Sequence, residues 1–161
     1  MSLIRSFKYA IEGISRCVLY ERNMRIHFVI ALYVLYFSTY YEFSKIEYAV
    51  ILILFAVVFG AEMINTAIEE FVDLESPGFS LKAKAAKDIA AGAVLVCAVF
   101  AVIIGIMLFW DKAVFLEIVS DHISNPLRLV GLCLSVVLAV LFVKFGIYKK
   151  RDDMEEKQWK R

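Results

Sequence analysis

The 161-residue chain has two prolines, seven glycines, three cysteines and two histidines. Each scarcity excludes something. Cys17, Cys97 and Cys133 are scattered, odd in number and outside any Cys-x-x-Cys spacing. They read as small apolar fillers rather than a disulfide framework or a zinc site. His27 and His122 do not form a metal-ligand pair by spacing. No Gly-x-x-x-x-Gly-Lys-Ser/Thr loop occurs, and no kinase-type glycine-rich loop, so the two large nucleotide-binding classes are excluded. The basic residues form no patch with interleaved aromatics, which leaves nucleic-acid binding without support. The N-terminus lacks a basic start followed by an apolar core and a small-residue cleavage site, so no cleavable signal peptide is expected. Both prolines fall at breaks, in Ser76-Pro77-Gly78 and Asn125-Pro126.

Apolar runs are what the chain has in abundance. It is 61% hydrophobic with a mean hydropathy of +0.73, against roughly 45–50% apolar residues in a soluble domain. The excess lies in runs, which indicates an all-α integral membrane protein. Residues 3–20 predict an amphipathic surface helix: Leu3, Phe7, Ile11, Ile14 and Val18 face one way, and Arg5, Lys8, Glu12, Ser15 and Arg16 the other. Such a helix lies in the membrane interface or packs on the rest of the protein. Three core spans are expected at about 26–41, 46–68 and 89–110, the second continuing as helix to Asp73. A fourth, C-terminal span is expected at about 127–147. Residues 111–126 read as a polar connection, and a densely charged tail follows Tyr148. Tyr33, Tyr36, Tyr40 and Tyr41 read as an aromatic belt, and Trp110 as an interfacial anchor. The chain thus divides into a membrane core at 1–112 and an extension at 113–161.

Net charge is only +1, so its distribution carries the information. Connections alternate basic-rich, poor, rich, poor, rich from Arg5 to Arg161, which places both termini in the cytoplasm.

One stretch stands out. Glu62, Asn65, Glu69 and Asp73 end the second span at offsets that share a helical stripe. A lone charge at a bilayer centre costs about 2.5–3.5 kcal/mol on insertion scales. Several acids on one face therefore imply a partner: a metal ion, a base or a bound phosphate. Two more polar groups belong on the same side, Glu21-Arg22-Asn23 with Arg25, and Lys87-Asp88. Carboxylates on two helices suit Mg²⁺ with phosphate oxygens. A lysine at a helix N-terminus suits phosphate. A deeper carboxylate can accept a proton from an alcohol. These are parts for phosphoryl transfer to a lipid hydroxyl. Taken singly, Glu69 and Asp73 also fit solvated juxtamembrane residues, Asn65 fits a bond to another helix, and Lys82 and Lys84 fit topology determinants. An ion or proton transporter using the acidic face is the rival from a different class. It is disfavoured because no internal repeat is visible and the Pro77-Gly78 break lies outside the membrane.

The stretches Glu62-Met-Ile-Asn-Thr-Ala-Ile-Glu69, Val72-Asp73 and Ala83-Lys-Ala-Ala-Lys87-Asp88-Ile-Ala-Ala-Gly92-Ala-Val-Leu95 resemble the prokaryotic diacylglycerol kinase family of small membrane lipid kinases. Ser6-Phe-Lys-Tyr-Ala-Ile-Glu-Gly13 and Glu21-Arg-Asn-Met-Arg-Ile-His27 are similar to its Gram-positive undecaprenol kinase branch. The resemblance covers residues 4–110. It implies a homotrimer in the bacterial cell membrane whose active sites are shared between subunits. It implies MgATP as phosphate donor and undecaprenol as acceptor, with diacylglycerol as the alternative. By matching position, Glu62 would take the hydroxyl proton, and Glu21 and Glu69 would hold the divalent cation. Asn65 and Lys87 would position the γ-phosphate, with Asp73 and Asp88 around the nucleotide. Arg25 also matches a polar position. The loop from Glu75 to Leu81 departs from the family's usual Glu-Tyr-His-like segment, and the chain after Asp111 exceeds the usual three-span length.

Overall fold

The computed structural model describes residues 3–76, 78 and 80–145. Pro77 and the charged tail after Tyr148 lie outside the described residues. Among the described residues six helices follow one another: α1 Leu3–Tyr20, α2 Arg22–Ser38, α3 Lys45–Glu75, α4 Leu81–Phe109, α5 Lys112–Ser124 and α6 Pro126–Phe145. Among the described residues there is no strand, as the apolar runs require.

Local chemistry sets the helix starts. Ser44 and Glu47 form a reciprocal capping box that opens α3. The Ser80 hydroxyl accepts from the Ala83 amide at the start of α4, and Asp111 accepts from the Ala113 and Val114 amides at the start of α5. Of the described helices, α3, α4 and α6 are long and apolar enough to cross a bilayer. With 31 and 29 residues, α3 and α4 reach about 44–46 Å, well beyond a core of about 30 Å. They therefore project from the membrane at one end. The 17-residue α2 spans only about 25 Å. It starts four residues before Ile26 and stops three before Tyr41.

Packing centres on the antiparallel α3–α4 pair, with α2 against α3. The buried stripe of α3 is Ile51, Val58, Glu62 and Asn65; that of α4 is Ala90 and Val94. Aromatic residues close the end away from Glu62. There the Tyr41 hydroxyl donates to the Phe109 carbonyl at 2.9 Å, and Phe43 packs edge-on against both Phe109 and Tyr48. The outward faces are apolar and exposed, as a lipid-facing or subunit-facing surface requires. So is the apolar face of α1, where Phe7 is 63% exposed and Cys17 is the only buried residue. Only the C-terminal end of α1 packs on α2 and α3, and its exposed apolar face suits a membrane interface.

Residues 111–126, expected as a polar connection, instead contain the 13-residue α5. Its inner stripe is Val114, Ile118, Asp121 and His122, at helical spacing. The tyrosines in and just after α2 are also more than a belt. Tyr33 bonds Ser135 of α6 at 3.0 Å, Tyr36 bonds His122 Nε2 at 3.0 Å, and the Tyr40 hydroxyl donates to Asp121 at 2.7 Å. Asp121 also pairs with Arg128. The Arg128 guanidinium, followed by the Tyr40 hydroxyl, holds the Asp121 carboxyl below its ordinary value. His122 is 4% exposed and bonded at both ring nitrogens, its Nδ1 donating to the Ile118 carbonyl at 2.8 Å. At the opposite end, buried Arg25 donates to the carbonyls of Leu19 in α1 (2.8 Å) and Val143 in α6 (3.3 Å). Both carbonyls sit in the last turn of their helices, where the dipole favours a cation. The extension is thus fastened along the length of α2.

Candidate active site

The site begins where the inward stripe of α3 turns from apolar to polar. Glu62 lies about 26 Å along α3 from Lys45, near the far edge of an apolar slab of about 30 Å. It is 3% exposed, and Asn65, one turn on, is 8% exposed. Further along α3, where fewer helices cover it, Glu69 is only half-buried and Asp73 is exposed. The stripe read from sequence is therefore a gradient from a buried carboxylate to a solvated one.

Hydrogen bonding ties the stripe together. Asn65 Nδ2 donates to Glu69 Oε1 at 2.8 Å. Asn65 Oδ1 is buried and has no partner among the described residues. From α4, Lys87 Nζ donates to Asp73 Oδ1 at 2.5 Å. Lys87 shares its helical face with Ala90 and Val94, so packing of α4 on α3 aims it at the acidic stripe. Asp88 is exposed beside it. Glu21 is the N-cap of α2, although its side chain does not cap the helix. Burial pushes the Cys17 thiol of α1 up, Thr66 opposes this, and the charges of Glu21 and Glu62 add to the rise. Arg25 donates to the two helix-end carbonyls.

Reasoning from sequence missed His27. Its Nε2 lies 3.2 Å from Glu62 Oε1, with side-chain exposures of 20% and 3%. The contact is within ion-pair distance, and no other polar side chain among the described residues serves Oε1. His27 follows Met24 and precedes Ala31 on the buried face of α2. That periodicity was the available signal.

Among the described residues no three His, Cys, Asp or Glu side chains converge as a closed metal site. Two buried acceptor oxygens, Glu62 Oε1 and Asn65 Oδ1, lack hydrogen-bond partners one turn apart, with Glu69 beside them. A buried unpartnered acceptor is costly unless something binds it. Such oxygens suit a proton donor or a hard cation carried in with phosphate.

Fold and site together define a helical membrane protein with an acidic centre at one end of a long helix pair, and comparison with known proteins makes that class specific. The sequence profile of prokaryotic diacylglycerol kinase matches residues 8–109. An undecaprenol kinase of Bacillus subtilis is 44% identical over 108 residues, covering 67% of this chain and 88% of the relative. A diacylglycerol kinase of Synechocystis is 39% identical over 105 residues, covering 65% of this chain and 60% of the relative. No solved structure matches the chain. The protein is a membrane lipid kinase. It belongs to the prokaryotic diacylglycerol kinase family.

Proposed function

We propose that the protein transfers the γ-phosphoryl group of ATP to the hydroxyl of undecaprenol in a Mg²⁺-dependent reaction, at the cytoplasmic face of the bacterial cell membrane. The observation that carries this reading is a nearly inaccessible carboxylate, Glu62, on a stripe continued by Asn65 and Glu69 and met by Lys87. Undecaprenol is preferred to diacylglycerol because the Bacillus relative is the more similar of the two and is covered over most of its length. The cyanobacterial relative keeps diacylglycerol as the second reading.

In the proposed reaction Glu62 takes the proton of the lipid hydroxyl, whose oxygen then forms a bond to the γ-phosphorus. The bond from that phosphorus to the β–γ bridging oxygen breaks and ADP departs. Lys87 leaves Asp73 for the γ-phosphate, exchanging one anion for another. Asn65 orients the same group while its amide holds Glu69. Glu21 and Glu69 would hold the divalent ion, which when bound neutralises charge on the phosphates. Asp73 and Asp88 complete the surroundings of the nucleotide. Catalysis in this scheme is positioning and electrostatics.

The basic-rich ends of the chain and of the α3–α4 connection support a cytoplasmic site and cytoplasmic termini. The exposed apolar faces of α3 and α4 support assembly with further copies, and a homotrimer with shared sites is the proposed state. The test offers undecaprenol and diacylglycerol separately in lipid-doped micelles with labelled ATP, with and without Mg²⁺. Label on undecaprenol that needs Mg²⁺ is the expected result. Label on diacylglycerol alone would overturn the acceptor, and label that is indifferent to chelation would overturn the metal.

A further inference from the structure

His27 lies outside the roles assigned above, yet it is the residue that touches the buried carboxylate from another helix. Its Nε2 is 3.2 Å from Glu62 Oε1. The polar neighbours of Glu62 on its own helix do not serve that oxygen: the Asn65 amide is committed to Glu69, and the Thr66 hydroxyl donates to the Glu62 main-chain carbonyl at 3.0 Å. A carboxylate with two rotatable side-chain bonds beyond Cβ needs an external contact to hold one orientation. His27 is placed to supply it.

A second observation puts His27 at the end of a cleft. An apolar cleft of about 440 Å³ runs between α2, α3 and α4, from His27 past Ala31, Ile51, Val58 and Gly105 to Trp110. His27 and Trp110, at its two ends, are the only lining residues with a polar side-chain atom. An amphiphile with one hydroxyl and a long apolar chain matches that distribution, its hydroxyl at the His27 end.

We infer that His27 is a positioning residue, holding the Glu62 carboxylate toward the polar end of the cleft where the lipid hydroxyl arrives. The inference rests on the proposed role of Glu62. It assigns His27 no contact with the nucleotide, so its loss acts on turnover and not on ATP affinity.

The test uses the full-length protein in lipid-doped micelles and measures kcat and the KM for ATP in three variants. His27→Met fills similar space without a donor. His27→Gln places an amide nitrogen near the Nε2 position. Glu62→Gln reports on the reading beneath. A misplacement of about 1 Å can cost about 100-fold in rate, so His27→Met is expected to lower kcat by about 10- to 100-fold with an unchanged KM for ATP. His27→Gln is expected to recover most of that loss. Full turnover in His27→Met beside an inactive Glu62→Gln would overturn the inference and leave the reading of Glu62 intact. Equal loss in the Met and Gln variants, or a raised KM for ATP with kcat intact, would also overturn it. Full turnover in Glu62→Gln would overturn the reading beneath instead. Should His27→Met not accumulate as folded protein, His27→Asn replaces it, because its shorter amide cannot reach the Nε2 position.

Discussion

Lys87 separates what the fold needs from what the chemistry needs. Its ion pair with Asp73 is short, but the two side chains are 34% and 49% exposed. Solvent-exposed pairs contribute about 0–1 kcal/mol, because water screens the charges and ordering two long side chains costs entropy. Lys87→Met should therefore shift thermal unfolding in detergent by a few degrees at most. The proposed reaction asks far more of the same ammonium, since it faces charge developing on the transferred phosphoryl group. Removing one such preorganised donor typically costs about 2.7–4 kcal/mol, or about 10²–10³ in kcat. The larger effect must be kinetic. The assay pairs phosphoryl transfer with thermal unfolding on the same preparation. The expected result is at least a 100-fold loss of kcat with nearly unchanged unfolding. Turnover at the wild-type level would refute the reasoning, as would a loss that only tracks the folded fraction.

Asn65→Leu removes a buried acceptor that has no partner but also frees Glu69 Oε1. Stability should change by no more than about 1–2 kcal/mol, while turnover falls at least about 100-fold; unfolding and transfer assays check both. Arg25→Met removes donors to two helix-end carbonyls from a buried position. Charged hydrogen bonds are worth about 1.5–3 kcal/mol each, so its unfolding midpoint should fall further than that of Lys87→Met, measured side by side. Asp121 is held below its ordinary value near 3.8 by Arg128 and then Tyr40. A depressed carboxylate stabilises the folded state above its unfolded value and loses that contribution as pH falls through the folded value. Protection of Lys112–Ser124 amides relative to their intrinsic exchange rates should accordingly fall as pH drops below about 3.8, and Asp121→Asn should lower that protection at neutral pH.

The acidic stripe was legible because helical spacing within one element decides which side chains share a face. Glu62, Asn65, Glu69 and Asp73 needed no partner helix to be grouped. The same rule makes the α1 surface helix and the extents of α3 and α6 readable within a few residues. His27 was not legible in this way. It meets Glu62 across 35 positions of chain, and spacing within α2 places it on a face without saying what that face meets. The helix inside the 111–126 connection was not legible because Asp111, Lys112, Glu117, Asp121 and His122 interrupt its apolar residues. Its Asp111 cap and the Val114, Ile118 and His122 spacing were present but outweighed. The tyrosines in and just after α2 read as a belt because aromatic residues at a span's end usually anchor it. Only the packing of α5 and α6 turns Tyr33, Tyr36 and Tyr40 into a docking row. The family profile, which ends at residue 109, could not have supplied that.

The central claim is that a carboxylate sealed into the end of a membrane span carries the phosphoryl transfer. It is tested most directly by the rate of lipid phosphorylation in Glu62→Gln, an exchange that keeps size and removes the proton acceptor. General-base assistance is worth about 10²–10⁴-fold, so turnover should drop by at least about 100-fold while the variant stays folded and still binds ATP. Wild-type turnover in folded Glu62→Gln would contradict the account.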